Sequence, residues 1–494
     1  MTVLDRGSAA HVAVVGGGIA GLAAANRLLA RDPALRVTLL EAEGRLGGKI
    51  ATERADGFVV EGGPDSFLAA KPRGVGLCGE LGIGDELQGI TPRLRRAYVA
   101  RGEAMHELPE GLSGLVPTRL GPLFRSHLLS PRGKLRLAMD YRLPARPGDG
   151  DESLGGFVRR RLGDEAWERL VEPLMAGIYA GDGDRLSLLA TFPQLRAAEV
   201  GHGGLIRGVV AARSAAASAQ RPGPAFVTPR RGLDHLVEAL ADRLRAGGAE
   251  LRTGVAVRGV AARVGAGEAD GATLLLDDGG RLEADAVVVA TPAFVAGDLL
   301  AGLEAGLAAD LRAIPHASSA IVTLAYRREA VARPLDAHGY LVPRAEASPI
   351  LACTWSSEKW AGRAPAGWAL LRVFVGRFGQ EALFCQSDDE LLALARAEVG
   401  RRLGATGEPG LARVRRWPQG MPQYLVGHGE RVARIKAAAG RFPWLALAGN
   451  AYRGVGIPDC IASGEAAAEA VLGGLAKWAE RSFVVNSAHA VAAR

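Results

Sequence analysis

Val12-Ala-Val-Val-Gly-Gly-Gly-Ile-Ala-Gly21 is the stretch that decides the fold of this chain. Its first four residues are an apolar run with strand character, and Leu22–Leu29 continues as a helix rich in small residues. The glycines between them form a G-x-G-x-x-G turn, whose backbone N–H groups approach a diphosphate closely because no Cβ stands in the way. The helix that follows presents unpaired N–H donors and the positive end of its dipole at the same place. We therefore expect an adenine dinucleotide to be held by Gly16, Gly17, Gly18, Ile19, Ala20 and Gly21.

The residues at the end of the second predicted strand and just after it indicate which dinucleotide is bound. Val37-Thr-Leu-Leu-Glu41 ends in an acid twenty positions after Gly21 (41 − 21), a spacing at which a carboxylate accepts hydrogen bonds from a ribose. The acid disfavours NADP, because its charge repels a 2′-phosphate. Arg45-Leu-Gly-Gly-Lys49 then matches R-x-G-G-[KR], which is typical of flavoproteins such as glutathione reductase and the amine oxidases. Since Arg45 and Lys49 can neutralise a diphosphate, we predict FAD.

Length and composition indicate a globular protein of two or three domains. The chain has 494 residues, of which 48% are hydrophobic and 23% charged. No run approaches the ~20 apolar residues of a membrane-spanning helix, and residues 1–10 lack the apolar core of a secretory signal. The four cysteines stand far apart without a C-x-x-C, which argues against a disulfide framework, a zinc site or an iron–sulfur site. We expect a cytoplasmic protein without a metal or a transmembrane segment.

The formal net charge is +7, and many arginines lie between Arg93 and Arg161. They are not interleaved with aromatic residues, as they would be on a nucleic-acid surface. We therefore expect no nucleic-acid partner. A solvated face, an acidic small molecule and peripheral contact with an anionic membrane stay open.

The rest of the chain reads as mainly helical up to about residue 225 and strand-rich afterwards. Residues 211–223 have the composition of a flexible connector, and residues 413–424 that of a proline-rich crossing. The apolar run in Ala284–Pro292 predicts a buried strand that returns to the nucleotide-binding sheet. Four more strands are predicted at residues 315–325, 339–343, 350–355 and 368–375.

We do not interpret any other segment of the sequence as a second dinucleotide-binding motif. Gly265–Gly271 is glycine-rich, but its spacing is one residue too long and a strand follows it, so it predicts a hairpin loop. Without a second nucleotide fold there is no evident NAD(P)H site. The flavin is then reduced by the substrate and reoxidised by oxygen or another acceptor, which is the logic of an oxidase.

The far end of the chain repeats the arrangement of the start. A short strand at Leu445–Asn450 is followed by a glycine loop at residues 452–457 and a small-residue helix from Pro458 to Leu475. The N-terminus of this helix can aim its positive dipole end at the flavin pyrimidine. A helix that merely closes the fold, with Pro458 in its first turn, is equally compatible.

Four segments resemble the oxygen-dependent porphyrinogen oxidases of haem synthesis, and the resemblance runs from about residue 11 to 475. They are Glu61–Phe67, Glu172–Gly181, Leu186–Pro193 and Gly449–Cys460. The resemblance implies an α/β fold of the p-hydroxybenzoate-hydroxylase-like, amine-oxidase superfamily: a Rossmann-like FAD-binding domain, a substrate-binding sheet domain and an inserted helical domain. The corresponding divisions are residues 1–90, 226–305 and 430–475 for FAD, 91–225 for the helical insertion, 306–429 for the sheet, and 476–494 for a C-terminal tail.

The resemblance also implies further contacts with FAD and a candidate contact with the substrate. One branch of the family oxidises protoporphyrinogen IX and the other coproporphyrinogen III; Asp65–Phe67, Val116–Pro122 and Ala352–Trp360 look more like the second branch. Arg96 is the candidate partner of a substrate propionate. The FAD contacts implied beyond the first turn are Glu41, Ala42, Lys49, Gly63, Pro64, Asp65, Ser66, Val257, Trp417, Val455, Gly456, Ile457 and Pro458.

The implied reaction is the oxidation of a porphyrinogen in three two-electron steps, with dioxygen as acceptor and hydrogen peroxide as product. The flavin accepts the hydride, so we expect no catalytic side chain. His316 and His428 are interpreted as structural, and Lys71 as either a residue of the substrate mouth or a solvated lysine. A haem-pathway enzyme is a further candidate partner. The alternatives are a protoporphyrinogen IX oxidase, a flavin amine oxidase and a non-catalytic FAD-binding scaffold.

Overall fold

The computed structural model describes residues 9–91, 96–113, 115–117, 119–219, 223–265 and 268–492. A five-stranded parallel sheet forms its centre, and its strands are buried along most of their length because helices and a second sheet cover both faces. The predicted return strand is confirmed, since it pairs in parallel with the first strand. In spatial order the strands are β12 (Glu250–Thr253), β2 (Arg36–Glu41), β1 (His11–Val15), β16 (Ala286–Val289) and β22 (Leu445–Leu447).

Helices from the two ends of the chain pack together beside this sheet. A Cβ on Gly464 would lie 2.0 Å from the carbonyl oxygen of Ala20, so the last helix lies directly against the first. The last helix continues through the expected tail to Ala492. The helices of this region are α1 (Ile19–Arg31), α2 (Pro72–Glu80), α11 (Asp234–Ala246), α12 (Ala293–Leu299), α13 (Ala305–Arg312), α17 (His428–Ala439) and α18 (Ile457–Ala492).

Smaller sheets complete this part of the molecule. The predicted hairpin at Gly265–Gly271 is confirmed by the pairing of β13 with β14, although residues 266–267 lie outside the described residues. The strands are β13 (Val257–Gly265), β14 (Glu268–Leu276) and β15 (Arg281–Ala284) in one sheet, β5 (Phe67–Leu68), β11 (Phe226–Pro229) and β6 (Leu87–Gly89) in another, and β3 (Thr52–Ala55) with β4 (Phe58–Glu61) in a third.

A seven-stranded mixed sheet carries the other half of the fold. It includes all four predicted strands and also residues 98–107, which the sequence placed in the helical insertion. One face packs against α16, and the other packs against the helical region described below. In spatial order its strands are β21 (Leu411–Pro422), β17 (His316–Arg327), β20 (Trp368–Val375), β19 (Ile350–Trp355), β18 (Gly339–Leu341), β7 (Tyr98–Arg101) and β8 (Ala104–Glu107). Three helices lie in the segments that connect its strands: α14 (Ser356–Lys359), α15 (Glu381–Phe384) and α16 (Asp388–Leu403).

The predicted proline-rich crossing is wrong, because residues 411–422 form the edge strand β21. An edge strand tolerates proline, since one of its sides needs no ladder hydrogen bonds. The pairing shifts register between Ala317 and Ser319, and Gln419 opposite this bulge adopts a left-handed conformation (φ +47°).

The helical region is inserted in sequence between two parts of the dinucleotide half. The expected connector at 211–223 is wrong over most of its length, because α10 runs to Ala219; residues 220–222 lie outside the described residues. A π-helical turn (Trp167–Val171) precedes Glu172-Pro173, whose proline has no N–H for the regular ladder. The helices are α3 (Leu120–Arg125), α4 (Pro131–Ala138), α5 (Leu154–Leu162), α6 (Asp164–Ala166), α7 (Glu172–Tyr179), α8 (Leu188–Thr191), α9 (Pro193–His202) and α10 (Leu205–Ala219), with β9 (Leu112–Ser113) and β10 (Val116–Pro117) as a small ribbon.

None of the helices in the described ranges is both long and apolar enough to cross a membrane. The same ranges contain no cluster of histidine, cysteine and acidic side chains that could hold a metal ion.

Candidate functional site

The first glycine turn has the geometry of an anion-binding site. Gly16 adopts φ +106°, and a Cβ on it would lie 2.8 Å from the carbonyl oxygen of Ala290. A Cβ on Gly21 would lie 1.9 Å from the carbonyl oxygen of Gly16, so both positions need glycine. Gly18 instead faces open space, with no atom within 4 Å of its Cβ position, and no side chain caps α1 there. The N–H groups of the first turn of α1 are therefore accessible to an anion.

Glu41 closes one side of this turn. Its carboxylate accepts hydrogen bonds from the backbone N–H of Gly17 (2.6 Å) and of Glu43 (2.8 Å). A carboxylate has about four acceptor positions, so capacity for ribose hydroxyls remains. The backbone N–H of Val255 donates to the Glu41 carbonyl oxygen at 2.9 Å, which brings the strand that starts at Val257 beside Glu41 and the exposed Ala42.

Arg45 is committed to the shape of its own loop. Its guanidinium donates to the carbonyl oxygens of Ile50 (3.0 Å) and Leu46 (3.3 Å) and to that of Gly48. Burial lowers the pKa of this guanidinium, and Arg415 lowers it further. Gly48 packs against Gly18, with 3.2 Å between its Cβ position and the Gly18 Cα. The sequence assigned Arg45 to the diphosphate; in the structure its hydrogen bonds hold the loop that covers the turn.

Lys49 has the opposite environment. Its ammonium makes no hydrogen bond or ion pair with any residue in the described ranges, and burial lowers its pKa. His316 lies close enough for this ammonium to affect it: burial, and secondarily Lys49, lowers the pKa of His316 to about 4. The Nδ1 atom of His316 is 2.9 Å from the carbonyl oxygen of Ile314, whereas its buried Nε2 has no partner. Lys49 Nζ therefore lacks an acceptor, whereas His316 Nε2, on a neutral ring whose Nδ1–H donates to Ile314, lacks a donor. A flavin dinucleotide offers both acceptors and donors, and its negative charge suits the ammonium.

The segment Glu61–Ser66 passes next to Lys49. A Cβ on Gly63 would lie 1.9 Å from the Lys49 carbonyl oxygen, so only glycine fits there. The Trp417 indole donates to the carbonyl oxygen of Gly62 (2.7 Å), and the Arg372 guanidinium donates to that of Gly63. Trp417 and the backbone of Gly63 and Pro64 thus form a wall in the position that the sequence assigned to the flavin.

The side chain of Asp65 is bound by the protein itself. Its carboxylate accepts from Lys359 (3.0 Å), from Trp360 Nε1 (3.1 Å) and from the hydroxyl of Ser66 (2.7 Å). Burial alone would raise the pKa of Asp65, but Lys359 and Arg372 outweigh it and hold the pKa well below its ordinary value. The backbone of this segment, rather than the Asp65 carboxylate, therefore remains for a flavin. Sequence reasoning missed Arg372, although it is the one charge inside the apolar strand Trp368–Val375.

The second glycine loop leads into α18. Gly454 adopts φ +80°, and a Cβ there would lie 2.5 Å from Asp459 Cγ. The Asp459 carboxylate accepts from the backbone N–H of Gly456 (3.3 Å) and from Lys71 (2.7 Å). Lys71 is therefore ion-paired with the first turn of α18. Because α18 packs on α1, the second glycine loop lies on the same side of the molecule as the glycine turn Gly16–Gly21. Its residues here are Val455, Gly456, Ile457 and Pro458.

An apolar wall continues from this loop. Leu341, Phe374 and Val455 are half-buried where the sheet, the helical region and the glycine loop meet. Ile178 near the end of α7 is 45% exposed, and a Cβ on the neighbouring Gly177 would lie 3.4 Å from a Leu341 methyl group. Val455 was predicted as an FAD contact, whereas Leu341, Phe374 and Ile178 were not predicted, since a half-buried apolar residue between elements looks like one in a core.

Arg96 lies two residues before β7, and its side chain is 54% exposed. Its guanidinium is 3.4 Å from Glu107 and 3.5 Å from Asp336. A propionate would have to compete with both carboxylates. The role of Arg96 in substrate binding stays a prediction, and residues 92–95 beside it lie outside the described residues.

The fold and this site together define a flavin-dependent oxidoreductase with two apposed sheets. The chain belongs to the flavin-containing amine oxidoreductase family, whose profile matches residues 19–472.

Individual proteins that are similar to this chain carry more specific names than the family does. The chain is 37% identical to the coproporphyrinogen III oxidase of Bacillus subtilis, over 92% of this chain and 97% of that one. It is 39% identical to the coproporphyrinogen III oxidase of Propionibacterium freudenreichii, over 94% and 90% of the two chains. A crystal structure from Exiguobacterium sp., provisionally named protoporphyrinogen oxidase, superposes with a TM-score of 0.82 and 34% identity over 94% of this chain and 99% of that one.

Proposed function

We propose that the chain is an FAD-dependent oxidase that converts coproporphyrinogen III to coproporphyrin III, with dioxygen as acceptor and hydrogen peroxide as product. The observation that carries the proposal is the pair of partnerless nitrogens, Lys49 Nζ and His316 Nε2, beside two glycine turns. They are found in a chain that aligns over 92% and 94% of its length with two relatives named coproporphyrinogen III oxidase.

The dinucleotide would be held largely by backbone atoms. The N–H groups of Gly18–Gly21 donate to the diphosphate, since that of Gly17 is bound to Glu41, and the Glu41 carboxylate accepts from the ribose hydroxyls. Ala42 and Val257 lie beside the adenine. Lys49 neutralises the negative charge, while Arg45 maintains the loop. The flavin end meets Trp417 and the backbone of Gly63, Pro64, Asp65, Ser66, Val455, Gly456, Ile457 and Pro458.

The reaction removes six electrons and six protons from the macrocycle. Three molecules of dioxygen take them up in three two-electron steps and leave as three molecules of hydrogen peroxide. Bound FAD supplies the hydride acceptor and passes the electrons to dioxygen. The residues of this chain position the ring: the wall of Leu341, Phe374 and Val455 excludes water and packs on the macrocycle. Arg96 is the proposed partner of a propionate.

Three alternatives make different use of the same fold. A protoporphyrinogen IX oxidase is favoured by the provisional name of the Exiguobacterium structure. An amine oxidase is compatible with the family profile. A non-catalytic FAD-binding scaffold needs only the dinucleotide site. The cytoplasmic location, peripheral membrane contact and a haem-pathway partner stay predictions of the sequence.

The deciding experiment compares substrates on the flavin-loaded protein. Coproporphyrinogen III, protoporphyrinogen IX and putrescine are offered separately in air, with porphyrin fluorescence and hydrogen peroxide recorded together. We expect coproporphyrinogen III to give the highest kcat/KM and about three peroxides per porphyrin. A higher kcat/KM for protoporphyrinogen IX would assign the other substrate, and peroxide from putrescine alone would favour an amine oxidase. Bound FAD without turnover of any substrate would favour a scaffold.

A further inference from the structure

Arg372 is a charged residue in the middle of a buried strand. It lies in β20 between Leu371 and Val373, pairs across the sheet with Thr323 and Thr354, and is 1% exposed. A buried charge costs several kcal/mol unless it is paired and hydrogen-bonded. The contacts of its guanidinium therefore indicate why a cation is present there.

Those contacts lie on the flavin segment Glu61–Ser66. The guanidinium donates to the carbonyl oxygen of Gly63, and its Nη1 is 3.4 Å from the Asp65 carboxylate. Lys359 is 3.0 Å from the same carboxylate, whereas the buried Nε of Arg372 has no partner. Two cations thus share one anion, directly behind the segment.

The neighbouring ion pair does not restore neutrality. Glu61 is 3.3 Å from Arg363, and both are buried. The five groups are two carboxylates, Asp65 and Glu61, and three cations, Lys359, Arg363 and Arg372, which leaves one positive charge in excess. Burial raises the pKa of Glu61, and protonation of Glu61 would only increase this excess.

We propose that Arg372 is a positioning residue for the flavin, and that the excess positive charge around it stabilises the anionic, two-electron-reduced ring. The inference rests on the proposed function in one respect: it takes the flavin to lie against Gly63–Ser66. Reduction of the flavin adds negative charge, and a buried cluster with one positive charge in excess favours that change. The hydrogen bond to Gly63 places this cation on the segment itself.

The test removes the charge and measures the flavin without any porphyrinogen. In Arg372→Met we expect sulfite, which forms an anionic adduct with flavin, to bind about tenfold more weakly, as estimated for one charge at about 10 Å and an effective dielectric constant of about 20. For a two-electron couple the same factor corresponds to a midpoint potential about 30 mV lower. Arg372→Lys keeps the charge but loses the forked hydrogen bonding, so its potential stays near that of the parent while FAD dissociates more readily.

Lys359→Met supplies a second test on the same carboxylate without altering the contact with Gly63. We expect it to weaken sulfite binding in the same direction, so the proposal stays testable even if Arg372→Met does not fold. The matched control is Arg402→Met, a buried arginine paired with Glu398 (3.2 Å) on the opposite face of the sheet, where no shift is expected.

Unchanged sulfite affinity and potential in both Arg372→Met and Lys359→Met would overturn the inference, as would an equal shift in Arg402→Met. Flavin content and porphyrinogen turnover of the parent are recorded separately. A parent that binds FAD and shows the expected shifts without oxidising a porphyrinogen would contradict the proposed function and support the role of Arg372.

Discussion

Lys49 and Arg45 are four positions apart, yet their side chains have opposite environments. Arg45 donates three hydrogen bonds to carbonyl oxygens of its own loop, whereas Lys49 has no partner among the described residues. A lysine in this state is costly without an anion, because the ammonium has lost part of its hydration. The empty hydrogen-bonding capacity identifies Lys49, rather than Arg45, as the cation available to a dinucleotide.

Replacing Lys49 with methionine tests this assignment. We expect Lys49→Met to weaken FAD binding about 10- to 100-fold, since a hydrogen bond to a charged group contributes about 1.5–3 kcal/mol. Titration of the apoprotein with FAD, followed by flavin fluorescence, gives the dissociation constant. Lys436→Met, on the exposed face of α17, should bind FAD like the parent. An unchanged affinity in Lys49→Met would contradict the assignment.

The substrate role of Arg96 is tested by kinetics. If Arg96 binds a propionate, Arg96→Ala should raise the KM for coproporphyrinogen III about 2- to 5-fold and leave kcat near that of the parent, because an exposed ion pair contributes at most about 1 kcal/mol. Arg434→Ala is the control, since Arg434 is 57% exposed and paired with Asp310 (2.7 Å). Equal KM values in both variants would remove Arg96 from the site.

At the scale of secondary-structure elements, two close backbone contacts at glycine decide how α1 packs against β1 and α18. Gly21 lets α1 approach the end of β1, and Gly464 lets α18 approach α1. Both contacts join backbone to glycine, so no side-chain adjustment can relieve an added methyl group. This packing, together with the parallel pairing of β1 and β22 on either side of β16, brings the first and second glycine loops together.

A methyl group at Gly21 should therefore separate these elements. Its Cβ would lie 1.9 Å from the carbonyl oxygen of Gly16, so we expect Gly21→Ala to lower the free energy of unfolding by about 1–3 kcal/mol and to lose most of the bound flavin. The ratio of flavin to protein absorbance and the thermal midpoint measure the two effects. Gly44→Ala, which has open space at its Cβ position, should change neither. Full flavin occupancy in Gly21→Ala would refute the packing argument.

The edge strand β21 shows where local patterns fail. Prolines at 418 and 422 indicated a crossing, but the ladder to β17 leaves the outer side of β21 free of backbone partners in the described sheet. The strand brings Trp417 to Gly62. A single-sequence pattern cannot report which edge of a sheet is unpaired, because that depends on the order of strands distant in the chain.

At the scale of the whole molecule, buried histidines couple stability to pH. Burial lowers the pKa values of His316 and His428 to about 4, while the unfolded chain titrates near 6.5. Between these values the unfolded state binds more protons than the folded state. Stability is therefore complete above about pH 6.5 and falls as the pH drops towards 4, by up to about 3 kcal/mol for each histidine.

Urea unfolding in a fixed excess of FAD, at pH 7.5 and pH 5, measures this loss. His428 stacks on Tyr424 with 4.2 Å between ring centroids, so His428→Phe keeps an aromatic ring and should reduce the difference between the two pH values. The exposed residue His202 offers the control His202→Gln, which should retain the full difference. A His428→Phe protein with the parent's pH dependence would exclude His428 as a source of the effect.

Much of the dinucleotide half was predictable because its signals are local. The strand at Val12–Val15, the glycine turn and Glu41 lie within one stretch of chain, and each has a steric or hydrogen-bonding reason that does not depend on distant residues. Four strands of the seven-stranded sheet, β17 to β20, were also predicted, since alternation and apolar runs report burial. The place of β7 and β8 in this sheet was not predicted, because β18, the partner of β7, lies more than 230 positions later in the chain.

The sequence by itself determined the dinucleotide turn, the separation into two sheets and a helical region, and the family resemblance. Only the tertiary structure decided which charges are free. It directed Arg45 and Asp65 to protein partners, left Lys49 without one, and placed Arg372 behind Gly63. The physical reason is that backbone conformation follows from neighbouring residues, whereas the environment of a charge depends on side chains that meet only after folding.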